Sequence, residues 1–191
     1  MVQNLQLNFF HSSELSGSRP TGEGCSYRVF RCYNKVARVV AVKEIKLPYG
    51  ESQQDEFRRC VCCVLKDLEV MHHPPLARHD NIIRLLGYGY GLSGTNPLPF
   101  LVTEYSQHGT LREYLISKKP TLIDRLKLCG GVASGLHAMH LSGVAHGDVK
   151  LENVLIFSNQ SEHDWRPEVV PKLVSRFLFL NSLRTRLSVS P

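Results

Sequence analysis

The stretch that decides the fold reads His146-Gly-Asp-Val-Lys-Leu-Glu-Asn-Val-Leu-Ile-Phe157, and it follows a long helical pattern and a break at Gly143. Within it Asp148, Lys150 and Asn153 supply a carboxylate, an ammonium and an amide at short spacing. A carboxylate can orient a hydroxyl nucleophile, an ammonium can neutralise a transferring phosphoryl group, and an amide oxygen can ligate Mg²⁺. The spacing of the three residues therefore matches what a phosphoryl-transfer loop requires.

Upstream of this loop, strand patterns come before helix patterns. Runs rich in β-branched residues predict strands over Tyr27–Tyr33, Ala37–Ile45, Ile82–Tyr90 and Pro99–Tyr105, with a hairpin turn at Asn34-Lys35. Apolar periodicity predicts helices over Gln53–His72, over Thr110–Ile116, and from a cap at Thr121 to about His140. Residues 1–21 are polar and show no pattern, which predicts a flexible segment. Strands followed by helices favour an α+β fold in two lobes.

The two long helices each carry a predicted buried side. In the first it consists of Phe57, Val61, Val64, Leu65, Leu68 and Met71. In the second it consists of Leu122, Leu126, Leu128, Val132, Leu136 and Met139. Gly130 and Gly131 lie inside the second helix, and they are expected to weaken it by roughly 1–2 kcal/mol relative to alanine.

Charge and composition exclude several classes of protein. The chain has 23 basic and 17 acidic residues, a net charge of +6, and three of the basic residues lie in the acid-free stretch 174–191. Because the remainder is nearly neutral, a nucleic-acid partner is not expected. No apolar run is long enough for a membrane helix, and residues 1–11 do not resemble a secretion signal, so we expect a cytoplasmic protein with no membrane partner. The six cysteines are expected to be reduced thiols that pack as small apolar residues.

From about Gly22 to Phe157 the chain resembles the protein kinase family. The run Gly22-x-Gly24-x-x-Tyr27-x-Val29 is similar to the glycine-rich loop, and Ala41-Val-Lys43 is similar to the lysine strand that holds the α- and β-phosphates. Gly22, Gly24, Val29, Ala41 and Lys43 are thereby implied to bind ATP. The helix over 53–72 takes the place of αC.

The resemblance also implies an adenine site and a catalytic loop. Leu101-Val-Thr-Glu-Tyr105 is similar to the hinge, which makes Thr103 the gatekeeper and Glu104 and Tyr105 backbone partners of adenine, and Leu155 would form the floor of that pocket. In the loop, Asp148 would act as the base, Lys150 would stabilise charge, and Asn153 would ligate Mg²⁺. Lys150, two residues after the aspartate, corresponds to the serine/threonine form. The implied cofactors are ATP and Mg²⁺, and the implied partner is a protein substrate.

The chain departs from the family pattern near the phosphates. Tyr27 stands in place of the third glycine, and it is expected to stiffen the loop and obstruct the phosphates. Gly147 stands where the family has an arginine. The acid that pairs with Lys43 can be Asp67 or Glu69, since both lie about a right angle from the apolar stripe. Register favours Asp67, whose shorter side chain would need the helix to move inward.

The largest departure follows the catalytic loop. Where Asp-Phe-Gly is expected, alignment of Lys172-Leu173 puts Ser175 at the metal position, and Asp164 is an alternative that lies too close to Asn153. The sequence thus predicts an incomplete kinase fold: a flexible segment (1–21), an N-lobe and hinge with an antiparallel sheet and one αC helix (22–105), the beginning of a helical C-lobe (106–173) and a non-kinase tail (174–191). The implied activity is phosphoryl transfer from ATP to Ser/Thr hydroxyls, impaired in this chain. The alternatives are an inactive kinase-like binding module and a truncated gene product.

Overall fold

The computed structural model of the 191-residue chain describes residues 7–17, 20–23, 27–46, 53–93, 96–159, 168–174 and 178–179. The chain divides into two compact units. The first comprises Met1–His72 and Arg84–Tyr105, and the second comprises His73–Ile83 and Ser106–Pro191. Within the described ranges, no helix has both the length and the hydropathy that a membrane span requires.

The first unit is built on one sheet. Its strands are β1 (Asn8–His11), β2 (Pro20–Glu23), β3 (Tyr27–Tyr33), β4 (Val39–Ile45), β5 (Leu85–Ser93) and β6 (Asn96–Glu104). Their order is β1-β5-β6-β4-β3-β2, with β1 parallel to β5 and the other neighbouring pairs antiparallel. At the β3–β4 hairpin, Asn34 accepts backbone hydrogen bonds from Val36 and Arg38 through Oδ1, which confirms the predicted turn.

The two faces of this sheet have different partners because side chains alternate along a strand. On one face lies an apolar cluster of Cys32, Val40, Val42, Phe100 and Val102, with Phe10, Leu15, Phe30 and Leu86 packed against it. Lys43, one residue on from Val42, points to the opposite face. There the sheet packs against helix α1 (Gln53–His72) through β5 and β6.

Helix α1 has the predicted bounds, but its buried face differs from the predicted stripe. Val64, Asp67, Val70 and Met71 are buried, whereas Leu65 is 58% exposed. Residues 64, 67 and 71 are separated by three and four positions, so they share one face of the helix. A carboxylate therefore lies in the middle of the face that packs against the sheet.

The prediction that residues 1–21 lack regular structure is wrong for two segments. β1 pairs with β5 from Asn8–Gly87 to His11–Tyr90, and a 3₁₀ turn follows over Ser12–Glu14. β2 begins at Pro20. The strands can approach because β5 carries glycines at this point: a Cβ on Gly87 would lie 2.1 Å from the carbonyl oxygen of Asn8.

The second unit combines helices with two small two-stranded sheets. Its elements are α2 (Pro74–Ala77), α3 (Leu111–Lys118), α4 (Leu122–Leu141), β7 (Val144–Ala145), a 3₁₀ turn (Leu151–Asn153), β8 (Val154–Asn159), β9 (Glu168–Leu173) and β10 (Leu178–Phe179). β8 pairs with β9 and β7 pairs with β10, both antiparallel. Sheet and helices together confirm the predicted α+β class.

Helix α4 begins at its predicted cap and packs against β9. Thr121 accepts from the backbone N–H of Asp124, whose carboxylate accepts in return from Thr121, which forms a capping box. A Cβ on Gly131 would lie 2.6 Å from Pro171, so this glycine permits close packing. The predicted burial of Leu122 and Leu126 is wrong, because the buried residues of α4 begin only at Leu128.

Candidate functional site

Lys43 lies in the first unit, and its ammonium group is buried. It projects from β4 and is only 9% exposed. Among the described residues, Nζ has no hydrogen-bond partner. Burial lowers the pKa of this lysine, and the attraction of Asp67 opposes that shift. An ammonium held out of water without a partner is suited to receive an anionic ligand.

Asp67 lies beside Lys43, whereas Glu69 does not. Asp67 is buried on α1, and Glu69 is exposed on the same helix. Burial raises the pKa of Asp67, and both the charge of Lys43 and the hydroxyl of Tyr27 lower it in part. The expected acid is thus close enough to interact electrostatically with Lys43, yet Nζ makes no hydrogen bond to it.

Tyr27 is the third member of this group. Its side chain is buried, and its hydroxyl donates a hydrogen bond of 3.1 Å to Oδ2 of Asp67. The centroid of its ring lies 5.3 Å from Nζ of Lys43. Tyr27 is therefore turned towards α1 and engages both members of the charged pair.

The other residues of the expected ATP site are neighbours in the sheet. Val29 on β3 lies between Gly22 on β2 and Lys43 on β4. Ala41 pairs with Thr103 on β6, which brings the lysine strand beside the expected hinge. Gly24 falls outside the described residues.

The expected hinge is held by contacts within the first unit. Thr103 is buried, and its hydroxyl donates to the carbonyl of Glu104. Both the backbone and the side chain of Glu104 bond to Arg84: the N–H donates to the Arg84 carbonyl, and Oε1 accepts from the Arg84 N–H at 2.8 Å. The ring of Tyr105 lies 5.3 Å from the guanidinium carbon of Arg31, within cation–π range.

The second unit brings Asp148, Lys150 and Asn153 together. Oδ2 of Asp148 accepts from Nζ of Lys150 at 2.9 Å and from the side-chain nitrogen of Asn153 at 2.9 Å. The same nitrogen also donates to the backbone carbonyl of Asp148 at 2.8 Å. These bonds fix the orientation of the carboxylate, and they leave Oδ1 of Asn153 as the atom of this amide that could ligate a metal ion.

His146 forms hydrogen bonds to the loop that contains Asp148 and to Val174, the residue that follows β9. Its buried Nε2 donates to the carbonyl of Val174 at 3.1 Å, while Nδ1 accepts weakly from the backbone N–H of Asp148 at 3.4 Å. Burial lowers the pKa of His146, which agrees with a neutral ring that donates at one nitrogen and accepts at the other. The N–H of Val174 also donates to the carbonyl of Asn153. Gly147 has a φ of 71°, a conformation that favours glycine.

Leu155 is half-buried on β8, where it pairs with Lys172 and bridges to Thr110. Ser175 and Asp164, the two candidates for the metal position after the loop, lie outside the described residues. Within the part of the chain that the structure describes, no three His, Cys, Asp or Glu side chains cluster as a metal site.

A family model for the protein kinase domain matches residues 16–168. The chain belongs to the protein kinase family. Its relatives include proteins from plants and animals. It is 31% identical over 157 residues to the probable serine/threonine-protein kinase PBL28 of Arabidopsis thaliana. The aligned residues cover 78% of this chain and 38% of that protein.

Two further relatives are more distant. The receptor-like serine/threonine-protein kinase NCRK of Arabidopsis thaliana is 27% identical over 154 residues, covering 78% of this chain and 26% of that protein. Ephrin type-B receptor 4 of Homo sapiens is 28% identical over 161 residues, covering 83% of this chain and 15% of that protein. This kinase-family chain therefore spans less than half the length of each of these three relatives.

Sequence reasoning missed two contacts in this kinase-family chain. The bond from Tyr27 to Asp67 had one available signal, an aromatic residue in place of the third glycine of the loop. The second is an ion pair between Arg112 on α3 and Glu152 in the 3₁₀ turn that ends at Asn153. It joins residues 40 positions apart, and nothing in their spacing predicts it.

Proposed function

We propose that the chain binds ATP with Mg²⁺ and transfers the γ-phosphoryl group to a Ser or Thr hydroxyl of a protein. The observation that carries the proposal is the hydrogen-bonded group of Asp148, Lys150 and Asn153. Membership of the protein kinase family supports the same reaction. The serine/threonine preference is supported by Lys150, two residues after the aspartate, and by relatives such as PBL28 that are named as serine/threonine kinases.

The chain offers one residue suited to the phosphates of ATP and another suited to Mg²⁺. Lys43 offers the phosphates a buried ammonium without a hydrogen-bond partner among the described residues. Asn153 offers a metal ion its Oδ1, because its nitrogen is committed to Asp148. When bound, ATP would supply the phosphoryl group, and Mg²⁺ would neutralise negative charge on the phosphate oxygens.

The side chains then have separate roles in the transfer. Asp148 orients the acceptor hydroxyl and takes up its proton, and the bonds to Oδ2 hold the carboxylate in position for this step. Lys150, half-exposed beside Asp148, neutralises negative charge that develops during the transfer. Lys43 binds and orients the phosphates.

A phosphorylation assay tests this proposal. The full chain is incubated with labelled ATP, Mg²⁺ and three peptide pools whose sole hydroxyl residue is Ser, Thr or Tyr. We expect label in the Ser and Thr pools, and a loss of about 100-fold or more in Asp148→Asn. The control is Asp80→Asn, an exposed aspartate of the same unit, which should label at the wild-type rate. Absence of label, or equal label in Asp148→Asn, would refute the transfer reaction.

A second candidate function is nucleotide binding without transfer. It is favoured by Ser175, which aligns with the position where the family pattern has a metal-binding aspartate. Loss of a metal ligand removes stabilisation from the transition state for transfer, while the phosphates can still bind to Lys43. This function predicts that Mg-ATP raises the melting temperature of the chain while no peptide pool acquires label. Labelling that depends on Asp148 would exclude it.

A further inference from the structure

Tyr27, Asp67 and Lys43 come from three different elements and meet in the interior of the first unit. They lie on β3, α1 and β4, and each is at most 9% exposed. The hydroxyl of Tyr27 donates to Oδ2 of Asp67 at 3.1 Å, and its ring centroid lies 5.3 Å from Nζ of Lys43. The side chain of Tyr27 thus contacts both the Asp67 carboxyl group and the Lys43 ammonium.

The acid and the ammonium are not joined directly. Nζ of Lys43 has no hydrogen-bond partner among the described residues, although Asp67 is near enough to act on its charge. Asp67 has a short side chain, and a phenol can reach it from β3 where the lysine does not. The hydroxyl bonds to a charged acceptor, which makes for a strong hydrogen bond. The ring face attracts a cation, and this attraction increases where water is excluded.

We propose that Tyr27 is a positioning residue for the Lys43–Asp67 pair. Its hydroxyl holds the Asp67 carboxylate in a fixed orientation, and its ring keeps the ammonium of Lys43 against the sheet where it can receive a phosphate. The expected effect of Tyr27 on nucleotide binding rests on the proposed function. The effect of Tyr27 on Asp67 does not rest on it, since that effect can be measured on the chain without nucleotide. This role is the opposite of the obstruction that the sequence predicts for Tyr27.

The first experiment follows the Asp67 carboxyl group without nucleotide. Aspartate is labelled with ¹³C at the carboxyl carbon, and the Asp67 signal is assigned by its absence in Asp67→Asn. Tyr27→Phe keeps the ring and removes the donor, so Asp67 should titrate at a higher pH than in the wild-type chain. The control is Tyr33→Phe, which removes the hydroxyl of an exposed tyrosine on the same strand and should leave the titration unchanged. An Asp67 titration that Tyr27→Phe does not move would overturn the proposal.

The second experiment measures the affinity for Mg-ATP by calorimetry. Tyr27→Phe should weaken binding about 10-fold, because the hydrogen bond that fixes Asp67 is lost. In the Asp67→Asn background the same substitution should change affinity less than about 2-fold, since its partner is already altered. Additive effects, or tighter binding by Tyr27→Phe, would mean that Tyr27 does not position the pair. A wild-type chain that binds no nucleotide would refute the proposed function, while the carboxyl titration would still decide the role of Tyr27.

A further pair of variants separates positioning from folding. Thermal unfolding of Tyr27→Phe identifies the temperature range in which the variant is folded, and binding is measured within that range. Tyr27→Leu, which removes both hydroxyl and ring, should bind Mg-ATP more weakly than Tyr27→Phe, because the cation–π contact is lost as well. Equal affinities of the two variants would refute the part assigned to the ring.

Discussion

The side-chain nitrogen of Asn153 donates to both the backbone carbonyl and Oδ2 of Asp148, at 2.8 and 2.9 Å. One amide therefore fixes both the main chain and the carboxylate of the proposed base. Because its nitrogen is used in this way, the opposite end of the amide is oriented as well. The two residues are five positions apart in the sequence, and the proposed base and the proposed metal ligand therefore depend on each other.

Asn153→Ala should impair transfer more than it impairs folding. The substitution removes both hydrogen bonds to Asp148 and the proposed metal ligand, so the transfer rate should fall about 100-fold or more. The free energy of unfolding should fall by about 1–2 kcal/mol, measured by urea denaturation. Ser117→Ala, at an exposed position of α3, is the control and should retain both properties. A variant with the wild-type rate would remove Asn153 from the mechanism.

Neighbouring glycines of α4 should respond to alanine with opposite signs. A Cβ on Gly130 meets nothing within 4 Å, so Gly130→Ala should stabilise the chain by about 0.5–1 kcal/mol through helix propensity. A Cβ on Gly131 would lie 2.6 Å from Pro171 on β9, so Gly131→Ala should destabilise it by about 1–3 kcal/mol. Urea denaturation measures both. Equal shifts would contradict the close packing of α4 against β9.

The attachment of β1 should depend on the glycines of β5. Gly87→Ala places a Cβ 2.1 Å from the carbonyl oxygen of Asn8 and should break the pairing of these strands. Amide hydrogen exchange over Asn8–His11 should then become faster. At Gly91 the nearest atom would be 3.9 Å away, so Gly91→Ala is the matched control and should keep the wild-type exchange. Unchanged protection in Gly87→Ala would refute the parallel pairing.

Asp67 should make the stability of the chain fall as pH rises. Burial raises its pKa above the ordinary value near 4, so the folded state retains a proton that the unfolded state releases. The stability that this proton confers is therefore present below pH 4 and is lost as pH rises through the raised pKa. Relative to the wild-type chain, Asp67→Asn should gain stability from pH 4 upwards, measured by urea denaturation. Glu69→Gln, at an exposed site two residues away, is the control. Parallel profiles for the wild-type chain and Asp67→Asn would contradict a raised pKa of Asp67 in the folded state.

The sequence predicts the elements of the fold better than their contacts. The bounds of α1 follow from apolar periodicity over 20 residues, and those of β3 follow from a run rich in β-branched residues. The same periodicity could not choose between Asp67 and Glu69. It counts apolar residues, whereas the buried face of α1 has a carboxylate at its centre. β1 was missed because it is four residues long and its partner begins 77 positions later.

In the candidate site, too, the sequence predicts some features and not others. The loop of Asp148, Lys150 and Asn153 could be predicted because its members are close in sequence. The lack of a hydrogen-bond partner for Nζ of Lys43 among the described residues could not be predicted, because it depends on the distance between β4 and α1 and on the bond of Tyr27 to Asp67. Tyr27 was predicted to obstruct phosphates because sequence gives a residue's position in a motif but not the direction of its side chain.

The affinity of the chain for Mg-ATP, compared between the wild type and Lys43→Met, tests the central claim most directly. Methionine keeps an unbranched apolar stem of similar length and removes the ammonium, so binding should weaken about 10-fold or more. Lys35→Met removes an exposed lysine of the same unit, whose ion pair with Glu14 contributes little to stability, and should bind as tightly as the wild type. Equal affinities of the wild type and Lys43→Met would show that the buried ammonium does not bind the phosphates.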